Sequence, residues 1–239
     1  MKEFKEGFIH SVETMGLADG PGIRIVIFMQ GCPLRCIFCH NPDTWFEKSN
    51  NKVTSKEIVD LVRKYRSYIE LDGGVTFSGG EPLFQSEFLL ETIKLCKKAG
   101  IHTCLDTSGT GYNRDVLDEI LRYVDLVILD IKAIDSENYK KITGKSMNEF
   151  NYFCERLKIN KSKLWLRQVI IPTVNDSEEY ILNLKEYIKR FDNVEKVQLL
   201  PYHTMGVEKY KKLNIKYRLE GIEPMDKTVC KRLESVLKN

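Results

Sequence analysis

The chain has 239 residues, 42% hydrophobic and 30% charged, with 37 basic against 34 acidic side chains and a net charge of +3. That composition describes a globular chain able to bury a sizeable core, and the small net charge singles out no nucleic-acid or membrane partner. No apolar run approaches the ~18–20 residues of a membrane span, residues 1–6 lack the hydrophobic stretch of a signal peptide, and seven cysteines form no paired framework, so the reducing cytoplasm is expected.

Strand and helix patterns alternate along the chain. After residues 1–22, read as an N-terminal extension, the β-branched run 23–30 predicts a strand, and a cysteine-rich loop follows it. Thr54-Ser55-Lys56-Glu57 supplies a capping signal for a helix to about residue 69, with Ile58, Leu61, Val62 and Tyr65 on one face. A second strand over 74–78 ends in Gly79-Gly80-Glu81-Pro82, and the helix over 86–98 stops at Gly100. A strand over 102–106 exits through Thr107-Ser108-Gly109, a helix covers 114–121, and the apolar strand 125–132 turns polar at its end.

The helical region 136–157 is broken near Gly144, the fifth strand 164–171 stops at Pro172, and a helix spans 177–190. The sixth strand, 194–200, leads into Pro201-Tyr202-His203, then a lysine-rich loop and a last helix over 226–237. The basic run from Lys209 to Arg218 reads first as a solvated face. There is no linker, repeat or low-complexity tract, so residues 1–239 read as one domain. Six βα units imply a parallel sheet covered by helices, doubly wound or curved into a partial barrel, with ligands at the carboxyl ends of the strands. The polar residues do cluster at those ends: Cys32 to His40, Ser78 to Glu81, Asp106-Thr107, Asp130, Lys132 and His203, with Arg167 inside the fifth strand.

Cys32, Cys36 and Cys39 are spaced C-x3-C-x2-C on one loop, closer together than any other cysteines in the chain. Three thiolates without a fourth suggest a [4Fe-4S] cluster with one open iron. The rival is a zinc site completed by His40. Structural zinc usually joins two separated ligand pairs, and ligation by the adjacent Cys39 and His40 would be cramped. Cys96, Cys104, Cys154 and Cys230 stand alone and read as small buried hydrophobes. Gly79 and Gly80 let backbone approach a ligand closely. Asp130 and Lys132, two apart on a strand, point the same way. Asp106 and Thr107 suit a cation or a hydroxyl-bearing ligand, while Asp19 to Arg24 reads as a tight turn feeding the first strand.

The cysteine spacing with Phe38 before the last cysteine resembles the radical S-adenosylmethionine (SAM) superfamily. Asp19 to Arg24, Gln30-Gly31-Cys32, His40-Asn41, Asp43-Thr44-Trp45, the Ser78 to Glu81 turn, Gly100 to Thr107 and Leu199 to His203 extend the likeness, in order and over nearly the whole chain. Together they resemble the glycyl-radical-enzyme activases, in particular the family that activates pyruvate formate-lyase. Pro42 and Pro82-Leu83-Phe84 stand where such enzymes vary, and neither removes a ligand.

The resemblance implies a partial (β/α)6 TIM-type barrel of parallel strands with residues 1–22 packed on it. It implies a [4Fe-4S] cluster on Cys32, Cys36 and Cys39, and SAM chelated at the fourth iron. SAM contacts are implied for Phe38, Cys39, His40, Gly80, Asp130, Ile131, Lys132 and His203, and a monovalent cation near Asp106, Thr107 and Asp130. One electron would cleave SAM, and the resulting 5′-deoxyadenosyl radical would take a hydrogen from a glycine Cα of pyruvate formate-lyase. Asp19 and Arg167 are candidates for gripping that glycine loop. With no further cysteine motif, electrons are expected from a separate flavodoxin or ferredoxin, docked by the basic surface, and the protein is expected to be a monomer. The other readings are a radical SAM enzyme for another glycyl-radical partner or a small molecule, and a non-catalytic zinc or electron-transfer module. Iron content separates the last of these, and glycyl-radical formation separates the rest.

Overall fold

The computed structural model describes residues 3–47, 49–69 and 71–238. Its strands are β1 (Glu6–Gly16), β2 (Arg24–Met29), β3 (Lys52–Thr54), β4 (Gly74–Gly79), β5 (Thr103–Thr107), β6 (Leu126–Asp130), β7 (Leu164–Ile170) and β8 (Val194–Pro201). They form one sheet in the order β3-β1-β2-β4-β5-β6-β7-β8. The run from β2 through β4 to β8 is parallel throughout, as six βα units require, and β3 and β8 remain as edges, so the barrel is incomplete.

The helices are α1 (Ser55–Lys64), α2 (Arg66–Ile69), α3 (Ser86–Lys98), α4 (Arg114–Tyr123), α5 (Ser136–Thr143), α6 (Asn148–Asn160), α7 (Glu178–Ile188), α8 (Val207–Lys212) and α9 (Lys227–Lys238). Thr54 caps α1 as the sequence predicts: its hydroxyl accepts from Glu57 N, and the Glu57 carboxylate accepts from Thr54 N. The helix ends at Lys64 rather than near 69, with Tyr65 as its cap and α2 as a separate turn. Gly144 separates α5 from α6 at a φ of 78°, a left-handed conformation that a side chain disfavours.

Two strands depart from the sequence reading. β1 pairs antiparallel with β2, and its first residues pair with β3, so residues 6–16 of the expected extension belong to the sheet itself. Register shifts between Ile9 and Ser11 and between Glu13 and Gly16 break the alternation of period two that would have marked β1. Residues 1 and 2 of that extension lie outside the described residues. The lysine-rich loop also contains a helix, α8.

The parallel strands have two unlike faces. Val75, Phe77, Leu105, Val127, Leu129 and Leu166 point outward into the main core beneath the helices and are fully buried. Each such side chain contributes roughly 1.5–3 kcal/mol through burial. The inner face carries a small apolar group of Cys104, Leu126, Ile128 and Trp165. Continuing by twos toward the carboxyl ends, the same face carries Ser78, Asp106, Asp130 and Arg167. A packed floor therefore gives way to a polar rim, and parallel register sets Asp130 opposite Arg167.

Candidate active site

The cysteine loop leaves β2 and is held at several points by its backbone. Gly31 N–H donates to Thr44 O (2.9 Å) and Glu81 N–H to Gly31 O (2.8 Å), while Arg35 and Ile37 donate to the carbonyls of Thr143 and Ile142 at the end of α5. Gly80 is required for this closure, since a Cβ there would stand 2.3 Å from Gly31 O and 3.2 Å from Thr44 O. Cys32, Cys36 and Cys39 share the wall of a cavity of about 450 Å³. Phe38, His40, Gly80, Asp130, Lys132 and His203 line the same cavity, as do Asp106 and Thr107.

Burial pushes the Cys36 thiol up to about 12 and the Cys32 and Cys39 thiols upward as well. Thiolates there need strong positive charge beside them, which iron supplies. Lys132 supplies part of it: burial opposes its charge, but Asp130 and Cys36 hold it protonated well above the usual lysine range. Its Nζ donates to Asp130 Oδ2 (2.5 Å) and lies 5.2 Å from the Phe38 ring centroid. The His40 ring stacks on that of His203 at 3.5 Å, and its Nε2 donates to the His203 carbonyl (3.0 Å). Burial lowers the pKa of both histidines, favouring neutral rings.

Two polar atoms in this wall, Asp130 Oδ1 and His203 Nδ1, are buried with no hydrogen-bond partner. Such atoms are costly unless a ligand satisfies them. With three thiols, a glycine cradle and a paired carboxylate and ammonium, the wall fits a sulfur-ligated cluster beside a zwitterionic molecule. Among the described residues no three His, Cys, Asp or Glu side chains are gathered closely enough to hold a single metal ion.

The residues suggested for a monovalent cation have protein partners. Asp106 accepts from Ser78 Oγ (2.7 Å) with Arg167 Nη1 3.9 Å away, Asp130 pairs with Lys132, and Thr107 Oγ1 donates to Glu81 Oε1 (2.5 Å). Burial raises the Asp106 carboxyl despite Arg167. Asp19 and Arg167 lie outside the cavity lining. Arg167 donates to the Ala18 carbonyl, Thr76 Oγ1 donates to Asp19 O (2.6 Å), and Arg167 Nε is buried without a partner. Ile131 is buried beneath the rim.

Three groups carry more of the site than the sequence suggested. Glu81, 1% exposed, accepts from Leu83 N, Thr107 Oγ1, Ser108 N and Ser108 Oγ, which clamps the exits of β4 and β5 together. Even so, burial raises its carboxyl to about 7. Lys209, read as part of a solvated run, turns inward to Asn41 Oδ1 (2.8 Å) and Asp43 Oδ2 (3.0 Å), and Asp43 also meets His10 Nε2 at 3.0 Å. Tyr210 donates its hydroxyl to Cys39 O (3.0 Å) and packs edge-on against Trp45. The available signal was the break in the lysine run: Tyr210 stands within it and is buried.

Residues 26–184 match the profile of the radical SAM superfamily. The chain is 52% identical to a pyruvate formate-lyase-activating enzyme of Clostridium pasteurianum over 233 residues, covering 97% of each chain. It is 45% identical to one of Staphylococcus epidermidis, covering 95% of this chain and 93% of that one. Among solved structures, a domain of a pyruvate-formate lyase-activating enzyme from Bacteroides vulgatus superposes with a TM-score of 0.56 at 26% identity, covering 70% of this chain and 93% of that one. Streptococcus suis SuiB bound to its precursor peptide SuiA superposes at 0.68 with 18% identity, covering 95% of this chain and 46% of that one, a likeness of fold alone.

Proposed function

The chain belongs to the radical SAM superfamily and, within it, to the family of pyruvate formate-lyase-activating enzymes, and on that premise we propose that it generates the glycyl radical of pyruvate formate-lyase. The observation that carries the reading is one cavity lined both by three thiols and by Asp130 and His203, whose Oδ1 and Nδ1 are buried without partners. Its cofactors are a [4Fe-4S] cluster and SAM. When bound, they supply one-electron cleavage of the sulfonium and the deoxyadenosyl radical that abstracts hydrogen from a glycine Cα.

The protein's own part is to hold, orient and exclude water. Cys32, Cys36 and Cys39 hold the irons, with Lys132 offsetting negative charge beside Cys36. Gly80 leaves backbone exposed for an ammonium group, and Asp130 Oδ1 offers a second acceptor. Lys132 suits a carboxylate, and the neutral stacked pair of His40 and His203, with Phe38, suits an adenine ring. Cys39 and Ile131 contribute through the backbone that shapes these walls. Asp19 and Arg167, which meet where Ala18 O accepts from Arg167, are the residues we assign to the partner's glycine loop at the open side of the barrel. A cation at Asp106, Thr107 and Asp130 would have to displace the hydrogen bonds those residues make.

The same reading makes residues 1–239 one radical SAM unit, acting as a cytoplasmic monomer and reduced by a flavodoxin or ferredoxin. Among the described residues, no helix is long and apolar enough to cross a membrane. The decisive assay is anaerobic incubation of the iron-loaded protein with reductant, SAM and pyruvate formate-lyase, read by electron paramagnetic resonance. A glycyl-radical doublet on pyruvate formate-lyase is expected. SAM cleavage without that doublet would reassign the enzyme to another substrate.

A further inference from the structure

The helix that braces the cysteine loop also carries a buried hydroxyl with nothing to bond to. Cys36 sits between two residues pinned to the end of α5: Arg35 N–H donates to Thr143 O (2.8 Å) and Ile37 N–H to Ile142 O (3.0 Å). Tyr139 lies three and four residues before these acceptors, one turn back on the same buried face of the helix. Its backbone is held in the helix, since Thr143 Oγ1 donates to Tyr139 O (2.7 Å) and Tyr139 N–H to Asp135 O (2.9 Å). Its ring packs against Phe150 with centroids 5.7 Å apart, and the residue is fully buried.

Among the described residues, the Tyr139 hydroxyl has no hydrogen-bond partner. A buried hydroxyl in that state is destabilising unless a bound group satisfies it. SAM is not that group, because Tyr139 is absent from the lining of the cavity assigned to SAM. Three ionisable groups act on the hydroxyl most strongly, Cys36 first, then Lys132 and Glu81. An ammonium cannot accept a hydrogen bond, and Lys132 already donates to Asp130. The Glu81 oxygens take four hydrogen bonds from Leu83, Thr107 and Ser108. That leaves Cys36. A thiol is a weak acceptor, whereas a sulfur bound to iron carries negative charge and accepts well. Burial also pushes the Tyr139 hydroxyl far above the usual tyrosine range, so it keeps its proton and remains a donor.

We propose that Tyr139 is a hydrogen-bond donor to the [4Fe-4S] cluster, reaching the sulfur at its Cys36 corner from the helix side. The proposal rests on the reading that the cluster binds Cys32, Cys36 and Cys39. The proton stays on the tyrosine oxygen throughout. One-electron reduction makes the cluster more negative, so the hydrogen bond strengthens and favours the reduced form. Tyr139 therefore sets how readily the cluster accepts its electron, from behind the loop and without touching SAM.

The test compares the iron-loaded wild-type protein with Tyr139→Phe, which removes one oxygen and keeps the ring. Without SAM, a redox titration followed by electron paramagnetic resonance should show reduction about tenfold less favourable in the variant, a shift of about 59 mV to lower potential for one electron. Pulsed electron–nuclear double resonance of the reduced cluster in D₂O should show an exchangeable deuteron in the wild type that the variant lacks. Stripped of iron, the variant should be at least as stable as the wild type, since the hydroxyl has no partner there. Equal potentials, the same deuteron couplings in both proteins, or a less stable iron-free variant overturns the role of Tyr139. Iron content and Mössbauer spectra of the wild type report separately on the premise: a protein that takes up no [4Fe-4S] cluster overturns the cluster reading itself, and the proposal with it.

Discussion

Replacing Glu81 with Gln should change stability by an amount that depends on pH. The wild-type carboxylate accepts four hydrogen bonds, from Leu83 N (3.1 Å), Thr107 Oγ1 (2.5 Å), Ser108 N (2.8 Å) and Ser108 Oγ (2.5 Å). An amide has one acceptor oxygen, so its NH₂ must face either Leu83 N or Ser108 N and leave that backbone donor unsatisfied. One such buried donor costs about 1–3 kcal/mol. Against this stands the cost of burying the charge, which raises the carboxyl from 4.5 to about 7. That shift corresponds to about 3 kcal/mol.

Its sign follows from proton binding. The folded state holds the proton more tightly than the unfolded chain, so the contribution is complete below 4.5 and is lost as pH rises through about 7. Gln carries no such dependence. The variant should therefore be clearly less stable than wild type at pH 5 and close to it, or slightly above it, at pH 8. Anaerobic chemical denaturation of both proteins from pH 5 to 8 measures the difference directly. A stability gap that stays constant across that range would refute a strained buried carboxylate at Glu81.

Other substitutions probe the rest of the wall. Gly80→Ala places a methyl 2.3 Å from Gly31 O, a backbone clash that should cost about 1–3 kcal/mol and weaken SAM binding at least tenfold by equilibrium dialysis; unchanged affinity would mean the turn can relax. Lys132→Met leaves Asp130 buried alone, and with side chains 11% and 22% exposed the loss should sit toward the lower end of the ~3–5 kcal/mol for breaking a buried pair. The same variant should lose the SAM-induced change in the reduced cluster's paramagnetic spectrum; retention of that change would remove Lys132 from the binding wall. Asp19→Asn combined with Arg167→Ala should depress partner-dependent SAM cleavage and activation together while SAM affinity holds. If both rates stay at wild-type values, the substrate-loop role goes.

How much was legible follows from what each residue's local sequence encodes. The six parallel strands are short and mostly apolar, several of them bounded by glycine or proline, and the glycine at 144 stops a helix by its own conformational preference, so both could be read locally. The cysteine spacing is equally local. β1 was not, because its two register shifts depend on how β2 receives it. Glu81 looked like part of a turn because the hydroxyls it accepts from, on Thr107 and Ser108, lie on another strand's exit. Lys209 looked like one lysine among several, because only tertiary packing shows that it faces inward toward Asp43.

That last contact has a consequence for how the molecule is assembled. Asp43 is held from both directions along the chain, by His10 and by Lys209, and the second contact spans 166 residues. Such long-range closures form late in folding, after local elements have docked. During synthesis from the N-terminus, the cysteine loop emerges early but waits for α8 before Lys209 and Tyr210 can close over it. Docking of α8 fixes the loop's backbone through Cys39 O and Asn41, while the thiols keep facing the cavity. The loop that is made early therefore takes its final shape last, from a helix whose Lys209 follows Asp43 by 166 residues.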